Sequence, residues 1–278
     1  MKNDRLGARL QVEAIADEVL TAYDRRRQIS PFSKRLTDFN LGIAYEVTAA
    51  VRNKRKARGE RPVGRKVGFT NRNMWSEYGV HAPIWGDMYD TTVRDLPTGG
   101  EGFDLDPFVE SRIEPEIAFG LARAPEPDMD DTTLLSCIDW VAHGFEIVQS
   151  IFPNWHFEAA DTVAAFGLHG ALLLGPRHSI HTGDATPWFG ALANFEITLE
   201  CDGELVELGH ATHVLGGPLP ALRHLAELLT RDSVNPPLAA TEIVTTGTLT
   251  LAQAAAPHEH WRTTISGLPI DGIAVHFD

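Results

Sequence analysis

The chain has 278 residues, 43% of them hydrophobic and 22% charged, a balance that suits a buried core and excludes a disordered chain. A formal net charge of −14 opposes nucleic-acid phosphates and anionic membranes unless a basic patch is strongly localised. Two cysteines, Cys137 and Cys201, make no disulfide framework and fit no zinc spacing, so reduced core thiols are expected; no stretch resembles a signal peptide or reaches the ~20 apolar residues that span a bilayer, which makes a cytoplasmic soluble protein the default.

Residues 5 to 27 place Leu6, Leu10, Ile15, Val19 and Leu20 at helical spacing and end in three arginines; an amphipathic helix is expected. A second helix is expected from Thr37 to Arg58, carrying Leu41, Ala44, Tyr45 and Val51, with Gly59 and Pro62 ending it. Its end enters a basic run, residues 52 to 66, most simply read as a solvated helix C-terminus complementing the macrodipole.

From residue 63 short β-like runs alternate with Gly and Pro. As a strand, PVGRKVGFTN sets Val63, Arg65, Val67 and Phe69 on one face and Gly64, Lys66, Gly68 and Thr70 on the other. Lys66, flanked by glycines on its own face, is either open to a substrate or an ordinary snorkelling lysine. In SRIEPEIAFG, Ile113, Pro115, Ile117, Phe119 and Leu121 form a core face, and Glu114, Glu116, Ala118 and Gly120 form an acidic, then small, face that suits an open cavity. Pro115 cannot donate to a ladder, so an edge strand or a bulge is expected.

Residues 132 to 143 have helical spacing, with Gly144 placed to end the helix, and FEIVQS then reads as a strand carrying Glu146. If the two glutamate strands are neighbours, three carboxylates meet, the donor set of a hard divalent cation; solvated strand glutamates are the plainer alternative. Further on, NFEITLECDGELV reads as a hairpin turning at Asp202-Gly203, PLPALRHLAELLTRD as a helix with Pro in its first turn, and EIVTTGTLTL as a strand. The order implies an α+β fold, with a helical region over residues 1 to 60 and a β-rich body over 61 to 278.

Several of these stretches together resemble the fumarylacetoacetate hydrolase superfamily, in its branch of 2-keto-4-pentenoate hydratases and 4-oxalocrotonate decarboxylases: GRKVGFT, YGVHAPIWG, IEPEIAFGL, FEIVQS, DTVA, VLGGPLPAL and TTGTLT, in family order from about residue 60 onward. The resemblance implies a mixed β-roll, a homo-oligomer, Mg²⁺ or Mn²⁺ on Glu114, Glu116 and Glu146, and Lys66 beside a small 2-keto or 2-hydroxydienoate substrate. It implies hydration of a 2-hydroxy-2,4-dienoate, with 4-oxalocrotonate-type decarboxylation as the runner-up, then acylpyruvate C–C hydrolysis or a noncatalytic partner role. Thr70, Asp161 and Thr248 lie in matched stretches and are expected substrate contacts. Two departures bear on specificity: GVHAP brings His81 where relatives commonly have Asp, and AFGLHG replaces a DNAS-like stretch, leaving His169 as a substitute polar contact. Arg72 is the candidate for a second substrate carboxylate. Trp75, Trp85 and Trp155 are pocket or core aromatics, and the pairs His210 with His213 and His258 with His260 are weak candidates for a softer metal.

Overall fold

The structure, a computed structural model, describes residues 2–78, 80–96, 102–180 and 185–278. The side chain of Leu6 and residue Gly79, both named above, lie outside the described residues. The larger sheet contains β1 (Pro62–Gly68), β2 (Ile84–Tyr89), β3 (Val93–Asp95), β5 (Arg112–Leu121), β6 (Ile138–Val148), β7 (His169–Leu174) and β11 (Ile243–Thr248), with short additions β8 (His178–Ser179) and β12 (Gln253–Ala254). A second sheet holds β4 (Gly102–Phe103), β9 (Glu196–Cys201), β10 (Glu204–His210), β13 (His260–Ser266) and β14 (Ala274–Phe277). The helices are α1 (Lys2–Asp24), α2 (Leu41–Ala57), α3 (Trp75–Tyr78), α4 (Asp131–Leu135), α5 (Ala159–Ala164), α6 (Ala185–Asn194) and α7 (Pro218–Arg231). This is the mixed α+β roll the sequence implied.

Chain connectivity shows why the larger sheet must curl. Its main path runs β2-β1-β11-β5-β6-β7-β3, so β2 and β3 are opposite ends. Yet only residues 90 to 92 separate them, a link of at most about 14 Å. The two ends therefore meet, and the sheet rolls around an interior. Ala118 and Ala142, paired across β5 and β6, face inward with Met88, Leu172 and Leu174. The small end of the expected acidic face is thus plugged rather than open.

Outside the roll, Ile113, Phe145 and Ile147 pack against Leu199, Trp261, Val275 and Phe277 of the second sheet, while Ile117, Phe119 and Leu121 share a core with α7. Helices α1 and α2 bury Val12, Ile15, Val19, Ala44, Val47 and Val51 against α5, Ile84 and Phe166. Leu10 points to solvent.

Several expectations need correction. Helix α2 starts at Leu41 rather than Thr37, because the Asn40 side chain accepts hydrogen bonds from the N–H groups of Gly42 and Ile43. The helix expected over 132 to 143 is one short turn, Asp131–Leu135; β6 takes over at Ile138, and Gly144 lies inside that strand. Continuous pairing of β6 with β5 outweighs the helical spacing. Strand β5 is central, not an edge, and the register slip near Pro115 belongs to its partner β11, between Thr245 and Thr248. The basic run is not simply solvated: Arg52 is buried against Asp87, and Lys54, Arg55 and Arg58 pair with Glu13 and Asp17, Glu60 and Asp24. Cys137 is buried, but Cys201 is half-buried.

Other readings stand. Asp202 and Gly203 both take positive φ, 52° and 85°, between the paired residues Cys201 and Glu204, the two-residue turn expected of that hairpin. Pro218 opens α7. Among the described residues, no helix is long and apolar enough to cross a membrane.

Candidate active site and metal centre

The acidic pair of β5 gains its third member through register. Glu114 is the direct cross-strand partner of Glu146, and Glu116 lies opposite Gly144. One carboxylate oxygen from each of the three lies within 4.8 Å of the others, and all three side chains are buried. Three like charges this close are tolerated only with compensating positive charge or with protons. Lys66 supplies part of it: its Nζ lies 3.1 Å from Glu146 Oε2. In the sheet order β1 and β6 are separated by β11 and β5, about 14 Å in a flat sheet, so this contact exists because the sheet rolls.

The neighbours tune each acid differently. Burial and the charge of Glu146 raise the Glu114 carboxyl to about 7, against the pull of Lys66. Burial, with the charges of Glu146 and Glu114, raises Glu116 well above the usual carboxylate range. Burial also pushes Glu146 upward, but Lys66 and a hydrogen bond from His169 outweigh it and hold it below the ordinary value. Lys66 loses to burial but gains more from the three acids, so it stays an ammonium.

Backbone geometry orients Glu116. Its Oε2 accepts a 2.8 Å hydrogen bond from the N–H of Gly247, in the irregular stretch of β11. Gly247 has φ +94°, and a Cβ there would fall 1.7 Å from Thr70 Oγ1, so only glycine fits. Among the described residues, Glu116 Oε1 is buried and makes no hydrogen bond of good geometry. An orphaned carboxylate oxygen among three converging carboxylates is the donor chemistry of a hard divalent cation, and the residues fit one.

The cavity beside these acids has a volume of roughly 480 Å³ with its mouth included, and is lined by Lys66, Glu114, Glu116, Asn71 and Thr248 amid apolar walls from Phe69, Ile84, Val148, Trp155, Phe157 and Leu168. Gly68 lines it too, whereas Gly64 makes room for the β11 backbone: a Cβ there would meet the Ile243 carbonyl at 2.0 Å.

Of the expected site residues, Lys66, Glu114, Glu116 and Thr248 line this cavity, and Glu146 meets them from beneath. The rest lie elsewhere. Arg72 and His81, with Trp75, line a separate surface groove, because the turn after Gly68 carries them away from the roll's interior. Asp161 caps α5 and receives the Ser33 N–H and hydroxyl, so its carboxylate is spent on structure. Thr70 is buried against Gly247, outside the cavity lining. His169 is buried behind Glu146, its Nδ1 2.8 Å from Glu146 Oε1. Trp85 is a core residue, and neither histidine pair belongs to a cluster of three metal-ligating groups among the described residues.

The sequence reading passed over Asn71, Trp155 as a definite wall, and the Gly247 amide. The only sequence signal for the last was a glycine inside a strand, which often marks a bulge. His143 also went unread. It is buried, with Nδ1 2.9 Å from the Glu116 carbonyl and Nε2 2.9 Å from Thr263 Oγ1, so it ties the strand of the acids to the second sheet. Burial lowers its pKa to about 4, which keeps it neutral.

Curled sheet, buried acidic cluster and facing lysine together make a candidate metal centre, and comparison with known proteins gives its lineage. No profile of a known protein family matches the chain. A 4-oxalocrotonate decarboxylase from a Pseudomonas species is 30% identical over 223 residues, 80% of each chain. A 2-hydroxypent-2,4-dienoate hydratase from Pseudomonas putida is 28% identical over 220 residues, 78% of this chain and 95% of the relative. Among solved structures, the 4-oxalocrotonate decarboxylase of Pseudomonas putida G7, complexed with magnesium and adipate, superposes with a TM-score of 0.86 at 26% identity, covering 97% of this chain and 98% of that one. The chain belongs to the family of 2-keto-4-pentenoate hydratases and 4-oxalocrotonate decarboxylases.

Proposed function

We propose that the protein is a metal-dependent lyase that hydrates a 2-hydroxy-2,4-dienoate, or a close 2-keto analogue, to a 4-hydroxy-2-keto acid in the catabolism of aromatic compounds. One arrangement carries this reading: three buried carboxylates converging opposite a buried lysine at an apolar-walled cavity. Glu114, Glu116 and Glu146 would hold Mg²⁺ or Mn²⁺, and the bound ion would serve as Lewis acid for the carboxylate and 2-oxygen of the substrate. Both kinds of relative support the reading, since a hydratase and a decarboxylase share a substrate end, the 2-oxo acid.

The residues of the chain divide the remaining work. The 2-hydroxyl loses its proton as C5 gains one, giving a 2-keto-3-enoate; water then adds its hydroxyl at C4 and its proton at C3. Lys66 Nζ, the cationic group of the lining, stabilises charge at the 2-oxygen and can pass a proton at that end. Phe69, Val148, Trp155, Phe157 and Leu168 pack the tail and exclude bulk water, which strengthens each polar contact inside.

The test follows ultraviolet decay of 2-hydroxypenta-2,4-dienoate with added Mg²⁺ or EDTA. Metal-dependent decay to a product one water heavier is expected; decay no faster than protein-free ketonisation would overturn the reading. The runner-up is decarboxylation of a 4-oxalocrotonate-like dicarboxylate, the reaction named for the relative at 30% identity. Loss of CO₂ from added 4-oxalocrotonate under the same conditions identifies it. We further propose a cytoplasmic homo-oligomer acting on a small molecule, with light scattering after size exclusion as the check on assembly.

A further inference from the structure

The stretch 165 to 169 is built in a costly way. Phe166, Gly167 and Leu168 all have positive φ, 60°, 62° and 65°. Non-glycine residues take that conformation only against steric resistance, so the surroundings must impose it. They do. Tyr23 of α1 donates from its hydroxyl to the His169 carbonyl at 3.0 Å and packs its ring edge-on to Phe166 at 4.3 Å. Arg55 of α2 lies over the same Phe166 ring. The turn leaves the His169 side chain buried between two partners, Glu146 Oε1 at 2.8 Å from Nδ1 and Thr92 Oγ1 at 2.9 Å from Nε2.

Glu146 fixes the role of Nδ1: a carboxylate oxygen only accepts, so Nδ1 carries the proton and donates to it, while Nε2 lies beside the Thr92 hydroxyl, which also reaches the Tyr89 carbonyl at 3.1 Å. Glu146 is left with Oε1 occupied by the imidazole and Oε2 turned toward Lys66 and the other two acids. We propose that His169 is a positioning residue: its Nδ1–H holds Glu146 Oε1 and so presents Oε2 alone to the divalent cation, with Thr92 anchoring the far side of the ring and the N-terminal helices bracing the turn that delivers it. Histidine here replaces substrate contact with ligand orientation, and groups that orient metal ligands typically control affinity by 10- to 100-fold. The inference rests on the metal reading above, and the experiment separates the two.

Mn²⁺ binding is measured by electron paramagnetic resonance of the free ion, without substrate, on the full chain. Wild type and Glu116→Gln decide the metal reading: tight binding lost in the variant supports it, and no binding by wild type overturns it together with this inference. His169→Leu and His169→Asn then decide the positioning role, since Asn can place an amide N–H near the Nδ1 position and Leu cannot. The expected result is an Mn²⁺ Kd at least about tenfold weaker in His169→Leu and within about threefold of wild type in His169→Asn, both folded by circular dichroism. Thr92→Val, which removes the hydroxyl at the far side of the ring, is expected between them. A folded His169→Leu that binds Mn²⁺ as wild type does would overturn the proposal. So would equal loss in Leu and Asn, which reports a packing role. If His169→Leu does not fold, Asn and Thr92→Val decide alone: wild-type affinity in Asn with weakened affinity in Thr92→Val supports the role, and any other pattern overturns it.

Discussion

Lys66 and Arg65 are neighbours on one strand, yet they enter opposite kinds of buried charge. On the Arg65 face, Arg65 Nε lies 3.1 Å from Asp87 Oδ1, Arg52 Nε lies 2.7 Å from Asp87 Oδ2, and Arg65 Nη1 lies 3.5 Å from Glu242 Oε1. Two cations meet two carboxylates, and both guanidiniums lie near the ring of Trp85. On the Lys66 face one ammonium meets three carboxylates, and a fourth group, His169, is neutral. The first cluster balances its charge within the chain and holds strands together. The second has an excess of acid that only a cation or added protons can balance, and that deficit distinguishes a binding site from scaffold.

The largest effects should separate the two clusters cleanly. Glu116→Gln is expected to lower metal-dependent turnover by roughly a thousandfold or more, several kcal/mol of transition-state stabilisation, with the melting curve of the metal-free protein little changed or raised. Asp87→Ala strands two buried guanidiniums and should cost about 3–5 kcal/mol of stability, while the fraction that remains folded binds Mn²⁺ as wild type does. Denaturant melts and Mn²⁺ titrations on both variants decide it. If Asp87→Ala weakened Mn²⁺ binding as much as Glu116→Gln, the division into scaffold and site would be wrong.

Gly247 tests how the scaffold reaches the site. Gly247→Ala places a Cβ against Thr70 at a φ of +94°, a cost of about 1–3 kcal/mol or more, and it moves the N–H that holds Glu116. Lower stability and weaker Mn²⁺ binding should appear together. A variant that lost stability alone would show that Glu116 does not depend on the bulge.

How much of this was legible in the sequence follows from distance along the chain. The parity of β1 and β5 is local, so the opposite facing of Lys66 and Arg65, and the shared facing of Glu114 and Glu116, could be read directly. Glu146 was read from its own strand as a third acid conditional on neighbouring strands and then matched by the motif resemblance, while its pairing with Glu114 depended on a register that helical spacing over 132 to 143 concealed. The misplaced residues, Arg72, His81, Asp161 and His169, all follow turns or open a new element, where a few dihedrals decide the direction of a side chain. Three consecutive positive-φ residues before His169 leave no mark in composition, because tertiary contacts from Tyr23 and Arg55 impose them.

His143 adds a pH-dependent term between the two sheets. Its folded pKa, about 4, lies below the ordinary 6.5, so the unfolded chain binds the proton more readily. Its contribution is therefore present in full above pH 6.5 and is lost as pH falls toward 4. At pH 5 the loss is about 2 kcal/mol relative to neutral pH. Urea melts of wild type and His143→Gln at pH 7.5 and 5 should show that wild type loses about that much more than the variant. Parallel losses would mean that His143 is already charged in the folded protein.

The smallest effect belongs to a third kind of charge. Lys54 Nζ bridges Glu13 Oε2 and Asp17 Oδ1, each at 2.9 Å, between α2 and α1. Both acids raise its pKa, but the pairs are open to water, where exposed ion pairs contribute at most about 1 kcal/mol. Lys54→Ala should therefore cost less than that in a urea melt, and the difference should vanish in 1 M salt, where screening acts over about 3 Å. A larger, salt-independent loss would mean that the lysine stem packs between the helices as apolar surface. The N-terminal pair would then depend on it for the rigidity with which Tyr23 and Arg55 hold the turn at the site, and metal affinity would fall along with stability.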